Sequence, residues 1–329
     1  MHADSLAYDV VTLGETMIRW TPPHCQRMEQ VHSMELHVGG SESNTAVGLA
    51  RLGNRAAWIS RLTSNPLGRI IEGTLRRYGA DTQHVVWTNE DRVGLYFLEE
   101  GKEPRGSQVF YDRKGSAISK MQPSELPLGL FQPGRSKCFH TTGITAAIGS
   151  ASCATAQKAF ELAKRAGWKL SFDTNYRAKL WSPTEASVGC VPFMEQADVL
   201  FIPERDARTL FPDAASLERT ALVSWLSKRF PNAIIALTAG KEGSWGAQGD
   251  LLVNQGIFPA DTIGRLGGGD AFAAGFLHAY LQGLELAPCL RWAAATASMK
   301  YSIPGDLPLV DRSAVEALVL SHGSYSIVR

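Results

Sequence analysis

The amino-acid sequence predicts an α/β protein: a doubly wound, mostly parallel sheet flanked by helices, with a small β lid. Three observations predict it. Short β-rich runs alternate with helical stretches along most of the chain, a pattern that builds parallel strands covered on both faces. Two extended runs in the middle, residues 93–99 and 108–113, interrupt that alternation and read as a hairpin. Two apolar, alanine-rich helices, 271–282 and 288–301, follow a glycine-rich turn near the end of the chain.

The elements follow in order. Residues 10–13 (VVTL) form a buried strand ending at Gly14. Residues 42–52 start after two glycines, carry Val47, Leu49, Ala50 and Leu52, and stop at Gly53, which reads as a helix. Residues 57–60 are a strand. Residues 66–78 are a helix with Leu67, Ile70, Ile71, Leu75 and Tyr78 on one stripe and Gly79 as its stop. Gly101, Pro104 and Gly106 join the two runs of the hairpin. Strand 138–141, helix 154–165 and strand 169–173 resume the alternation, followed by a loop over 174–183. Strands at 199–202, 233–238 and 251–258 complete it. In such a sheet, ligands bind beyond the carboxyl ends of the strands. The hairpin at 93–117 and the segment 18–37 would form the lid over that edge.

Composition narrows the function. The chain has 329 residues, enough for one large α/β domain or two smaller ones at roughly 150 residues each. Hydrophobic residues make up 44% and charged residues 20%, so a sizeable core forms and global disorder is excluded. Lys and Arg number 33 against 32 Asp and Glu, which argues against nucleic acid as a partner. Cys25, Cys138, Cys153, Cys190 and Cys289 are scattered with no CxxC pair, so neither a disulfide framework nor a cysteine zinc site is indicated. Met1 to Tyr8 does not read as a secretory leader, and no run of 18 apolar residues marks a membrane span. A cytoplasmic location is expected. The histidines, His140 and His278 among them, show no paired metal-ligand spacing and read as ordinary surface or core residues.

The chemistry concentrates at Gly264-Arg265-Leu266-Gly267-Gly268-Gly269-Asp270. Glycines at a helix start permit positive φ and leave backbone N–H groups free, which makes an anion site. Asp270 falls in the first turn of that helix. A carboxylate beside a phosphate site suits phosphoryl transfer, with the amides stabilising growing charge and the Asp accepting a proton. The alternative is a turn in which Asp is simply a helix cap. The motif is not a Walker A loop, because no GK[ST] follows the glycines.

GGGDAFAAGF resembles the GAGDAF signature of the ribokinase-like (PfkB) carbohydrate kinases. The stretch from Gly39 to Gly53 (GGSESNTAVGLARLG) is similar to a second signature of that family, and Thr238-Ala239-Gly240-Lys241-Glu242-Gly243 to its TxGxxG nucleotide loop. The three occur in the family's order, so the resemblance spans nearly the whole chain. It implies one ribokinase-like domain over 1–329, with ATP and Mg²⁺ as cofactors. Further stretches resemble the 2-keto-3-deoxygluconate kinases of that family: Gly94-Leu95-Tyr96, residues 109–117, Asp173-Thr174-Asn175-Tyr176-Arg177 with the LWSP at 180–183, and Ile303-Pro304-Gly305-Asp306.

That resemblance implies residue roles. Gly40 and Asn44 would touch sugar hydroxyls, and Tyr96, Tyr111, Arg113 and Arg177 would surround a sugar acid and the transferred phosphate. Thr238, Gly240, Gly243, Gly267 and Gly269 would bind the nucleotide. The 6-hydroxyl of the sugar acid would attack the γ-phosphate, Asp270 would take its proton, and the amides of Gly267, Gly268 and Gly269 would hold the phosphoryl oxygens. Tyr111 and Arg113 share a strand face, and an arginine can grip a carboxylate through two parallel bonds. Against this, Arg113 could be a solvated strand edge, and Arg177 could pair with Asp173. Glu15 could face the pocket or lie in a loop. Asp206 or Glu204 stands where the family places a Glu linked to Mg²⁺, and would reach the ion through water. Gly264 stands where the family commonly has an Asp, so dependence on K⁺ is left open.

Other readings compete. A kinase of the same fold could act on a neutral sugar or nucleoside, such as fructose, ribose or adenosine. A catalytically degenerate sugar-binding protein is another. A dinucleotide-dependent dehydrogenase lacks its GxGxxG after the first strand. The gluco and galacto epimers of the sugar acid are not separated by the sequence. Exposed lid edges suggest a homo-oligomer through the lid.

Overall fold

The computed structural model describes residues 8–320; the reading of the N-terminal leader falls almost wholly outside them. Its strands are β1 (Tyr8–Leu13), β2 (Met17–Thr21), β3 (Glu35–Gly39), β4 (Ala56–Thr63), β5 (Val85–Thr88), β6 (Leu95–Glu99), β7 (Gln108–Asp112), β8 (Ser136–Thr142), β9 (Lys169–Asp173), β10 (Val199–Pro203), β11 (Ile234–Thr238), β12 (Ser244–Gln248) and β13 (Leu251–Gln255). Its helices are α1 (Ser41–Arg51), α2 (Pro66–Arg77), α3 (Gly143–Ala147), α4 (Ser150–Arg165), α5 (Pro183–Met194), α6 (Glu204–Leu210), α7 (Arg219–Arg229), α8 (Gly268–Leu281), α9 (Leu286–Tyr301) and α10 (Arg312–Leu320).

Nine strands form one sheet in the order β13-β12-β11-β10-β9-β8-β1-β4-β5, parallel from β11 to β5 and antiparallel at the β12–β13 edge. This is the doubly wound α/β fold that the alternation predicts. Strand side chains alternate between faces. Val11 and Leu13 point into a core with α4, α5 and α7, where Phe139, Phe160, Phe172 and Phe193 pack together. Val10 points into the opposite core, with Trp58, Phe276 and the helices α1, α8 and α9. Among the described residues, no helix is long and apolar enough to cross a membrane.

The direction of strand addition reverses between β1 and β8. That switch point opens a crevice at the carboxyl ends of the strands. The lid over it is a four-stranded sheet, β3-β2-β6-β7. The expected hairpin is the antiparallel pair β6–β7, and the 18–37 segment contributes β2 and β3, with β2 parallel to β6.

Several elements depart from the sequence reading. The strand expected over 251–258 ends at Gln255, and β12 lies before it. Helices α5 and α7 were not anticipated. The signal for α5 is present, since Ser182 and Glu185 form a capping box ahead of Pro183, but Pro192 inside the helix breaks its pattern.

Glu42 fixes α1 against the end of β8. It is fully buried, and its Oε1 accepts from the Thr142 N–H (3.1 Å), the Thr142 hydroxyl (2.7 Å) and the Thr145 hydroxyl (2.6 Å). Burial raises its carboxyl to about 7 against those bonds, which favour the charged form. The folded value lies above the unfolded one, so this group's contribution is fully present below about pH 4.5 and is lost as pH rises through 7. Glu42→Gln is therefore expected to remove roughly 3 kcal/mol of pH dependence from stability across that window. Urea unfolding at pH 5 and pH 8 checks this; identical pH dependence in the two proteins would refute it.

Candidate active site

Helix α8 starts at Gly267, whose φ of 76° is left-handed and whose missing side chain would overlap the Asp306 carbonyl oxygen. Only glycine meets both demands. The helix then presents Gly268, Gly269 and Asp270 in its first turn, with N–H groups unused by the helix. The N-terminus of α1 comes up against it from the other end of the chain. Ser41 Oγ donates to one Asp270 oxygen at 2.6 Å and Asn44 Nδ2 donates to the other at 2.7 Å. Asn175, held at a positive φ of 38°, donates from Nδ2 to Ser41 Oγ at 2.8 Å. The carboxylate is thus oriented by two residues of α1 and, through Ser41, by Asn175 of the loop after β9.

Two cavities meet at this helix start. The first, about 90 Å³, holds Gly40, Asn44, Tyr96, Tyr111, Arg113, Arg177, Gly267 and Asp270. The second, about 160 Å³, holds Thr238, Gly240, Gly243, Gly268 and Gly269. All of these residues were singled out in the sequence, and the fold brings them together in two groups. Gly267, named there for the nucleotide, lies on the first cavity, while Gly269 lies on the second with open space where a side chain would be.

Burial raises the Asp270 carboxyl above the ordinary Asp range; the Ser41 and Asn44 bonds and the nearby Arg177 lower it. Asp173 is raised well above that range by burial and by the charges of Asp270 and Asp206. Arg177 faces all three carboxylates, and among the described residues it forms no ion pair. The alternative, an ion pair with Asp173, is not made.

Arg113 is different. It is ion-paired with the buried Glu15, which answers where Glu15 points: into the first cavity. Its positive charge is matched within the protein. Tyr96 donates to Asp306, which also faces Arg19 Nε at 3.2 Å, so the Tyr96 hydroxyl is engaged by the protein. Tyr111 stacks on Tyr96 with ring centres 5.9 Å apart. The outer lid strand is tied to the sheet edge by Lys179 Nζ, which donates to the Val109 carbonyl at 2.9 Å at an exposed position.

Neither Glu204 nor Asp206 lines either cavity. The Glu204 carboxylate bridges Arg208 at 2.6 Å and Arg219 at 2.7 Å. That pairing leaves it no free charge for an ion. Asp206 is buried and accepts from the Tyr176 N–H at 2.9 Å, which shapes the loop that carries Arg177. Among the described residues, no group of three or more His, Cys, Asp or Glu could hold a metal ion. His140 is buried beside Ser171, and His278 lies against Asn54. Ser41, Asn175 and Asp306 escaped the sequence reading as site residues, because their roles depend on contacts more than a hundred residues away; Asp173 escaped it because its role depends on burial beside Asp270 and Asp206.

A family model described as pfkB family carbohydrate kinase matches residues 7–308. The chain belongs to that family. It is 37% identical over 321 residues to the 2-dehydro-3-deoxygalactonokinase of Haloferax volcanii, covering 98% of this chain and 99% of that protein. It is 28% identical over 319 residues to the 5-dehydro-2-deoxygluconokinase of Shouchella clausii, covering 95% of each. The crystal structure of the 2-dehydro-3-deoxygluconokinase from Thermotoga maritima aligns with a TM-score of 0.87 at 29% identity, covering 96% of this chain and 99% of that one. The pfkB-family chain is therefore a carbohydrate kinase, and its ribokinase-like fold is that of its family.

The sequence predicts Asp270 as the general base. Asp270→Asn is expected to lower kcat by about 10³-fold or more while the folded structure is kept, in line with loss of a general base. The base works only when ionised, so kcat/KM falls as pH drops through its pKa. Because that pKa is raised, the acid limb is expected above the range of an ordinary Asp. Steady-state rates from pH 4 to 8 check both, and an Asn variant with wild-type kcat would remove Asp270 from the chemistry.

Proposed function

We propose that this kinase transfers the terminal phosphate of ATP to the 6-hydroxyl of a 2-keto-3-deoxy six-carbon sugar acid, 2-keto-3-deoxygluconate or its galacto epimer. One observation carries the reading. Arg177 is a guanidinium on the first cavity, close to Asp270, with no ion-pair partner of its own. A substrate carboxylate supplies that partner. Arg113 does not carry the argument, because Glu15 already matches its charge. The names of the relatives support an acidic sugar, and the 37% identical one is named for the galacto form.

The roles follow from position. The Asp270 carboxylate, held by Ser41 and Asn44, accepts the proton of the attacking hydroxyl. The amides of Gly267, Gly268 and Gly269 face the transferred group at a helix N-terminus, where a growing negative charge is stabilised. The Thr238–Gly243 turn and Gly269 cradle the nucleotide, whose phosphates find room where Gly269 has no side chain. Mg²⁺, when bound with the nucleotide, would offset phosphate charge; the engaged carboxylates suit an ion that keeps much of its water, with Asp206 reaching it through water. A cytoplasmic location and a homodimer through the exposed outer lid strand, which displays Phe110, complete the proposal.

The test is a coupled ADP-release assay with both epimers of the sugar acid, gluconate, fructose, ribose and adenosine. One or both 2-keto-3-deoxy acids are expected to lead, and the ratio of their kcat/KM values settles the epimer. Arg177→Met is expected to lower kcat/KM for the acid by about 10- to 100-fold, the worth of a charged hydrogen bond, with little change for a neutral sugar. Preference for fructose or ribose over both acids would sink the proposal.

A further inference from the structure

Lys300 lies in the last turn of α9 and is 0% exposed. An ammonium takes such a place only with compensating partners. Its Nζ donates to the Ile303 carbonyl at 2.9 Å. Its Cε lies 3.4 Å from where a side chain on Gly267 would begin, so the stem runs directly beneath the residue that opens α8. Lys300 lines neither cavity, so no substrate contact accounts for it.

The surrounding segment braces the same turn. The N–H groups of Ile263 and Gly264 donate to the Tyr301 carbonyl at 2.8 and 3.3 Å, and the Asp306 carbonyl abuts Gly267. Three charged groups face the ammonium: Asp306 from the segment after α9 and Asp270 from α8 favour its charge, and Arg19 from β2 opposes it. Packing alone does not explain a lysine here, since a hydrophobic residue of similar volume fills buried space without the cost of desolvating a charge. A positive charge in this low-dielectric position acts on whatever negative charge develops at the α8 N-terminus. Gly264 brings no carboxylate to the turn that would draw in a second cation.

We propose that Lys300 is a positioning residue for phosphoryl transfer: its ammonium holds the 263–267 turn against the 301–306 segment and supplies a fixed positive charge behind the amides of Gly267, Gly268 and Gly269, in place of a diffusible monovalent cation. The inference depends on the carbohydrate-kinase assignment and not on the choice of sugar. The readout uses whichever acceptor turns over in the substrate panel, so a wrong sugar and a wrong role for Lys300 are distinguishable.

Burial brings the Lys300 ammonium down to about 8. In the wild-type enzyme kcat/KM for ATP is expected to fall above about pH 8, and the limb is expected to move upward in kcat, because bound phosphates favour the charged form. Lys300→Met is expected to lower kcat roughly tenfold or more, leave both KM values within about threefold, and abolish that limb. Lys300→Arg stays charged at every assay pH and is expected to recover part of kcat without the limb. Wild-type activity is expected to be the same in tetramethylammonium buffer as with added K⁺. A Met variant with wild-type kcat, a limb that persists in it, or several-fold stimulation of the wild type by K⁺ would each overturn the proposal. The wild-type pH profile and cation response decide the matter alone if the Met variant does not fold.

Discussion

A carboxylate buried at the start of a helix governs this molecule. Asp270 stays oriented only because Ser41 and Asn44, 229 and 226 residues earlier, reach it from the first turn of another helix. Two helix N-termini therefore have to converge on one point. Helix termini attract anions, and two of them facing a shared carboxylate give it favourable surroundings that burial alone would deny. The close passage of backbone at Gly40 and Gly267 follows from the same demand. So does the sheet topology, because only a switch point leaves a crevice where both termini fit.

Local pattern made much of this legible in the sequence. The glycine turn before α8, the glycine pair before α1 and the Thr238–Gly243 turn are short-range features; the first lines both cavities and the others one each. Periodicity located the central strands because they are buried on both faces and read as continuous apolar runs. Helix α7 was silent for the opposite reason: its apolar residues are interspersed with Arg, Ser and Lys, and its burial comes from the neighbours it packs against.

Charge pairing was the part that could not be read. Arg113 and Arg177 look alike in the sequence, yet one is matched by Glu15 and the other faces a cavity unmatched. Glu15 lies 98 residues from Arg113, and no spacing rule connects them. Glu204 is drawn away from any ion by Arg208, one helical turn on, and by Arg219 of α7, a contact that no local spacing gives. Residue type indicates which groups can carry charge. Tertiary contact decides which of them remain available.

The lid's attachment has a consequence for how a ligand enters. Asp306 engages both Arg19 on β2 and Tyr96 on β6, so the two inner strands are pinned to the body of the protein at one buried point. The outer strand β7 is held by its ladder to β6, by the Arg92–Asp112 ion pair and by an exposed bond from Lys179, while Arg113 just beyond it pairs with buried Glu15. A ligand entering past the lid margin therefore meets exposed contacts first, while the root of the lid is fixed by buried ones.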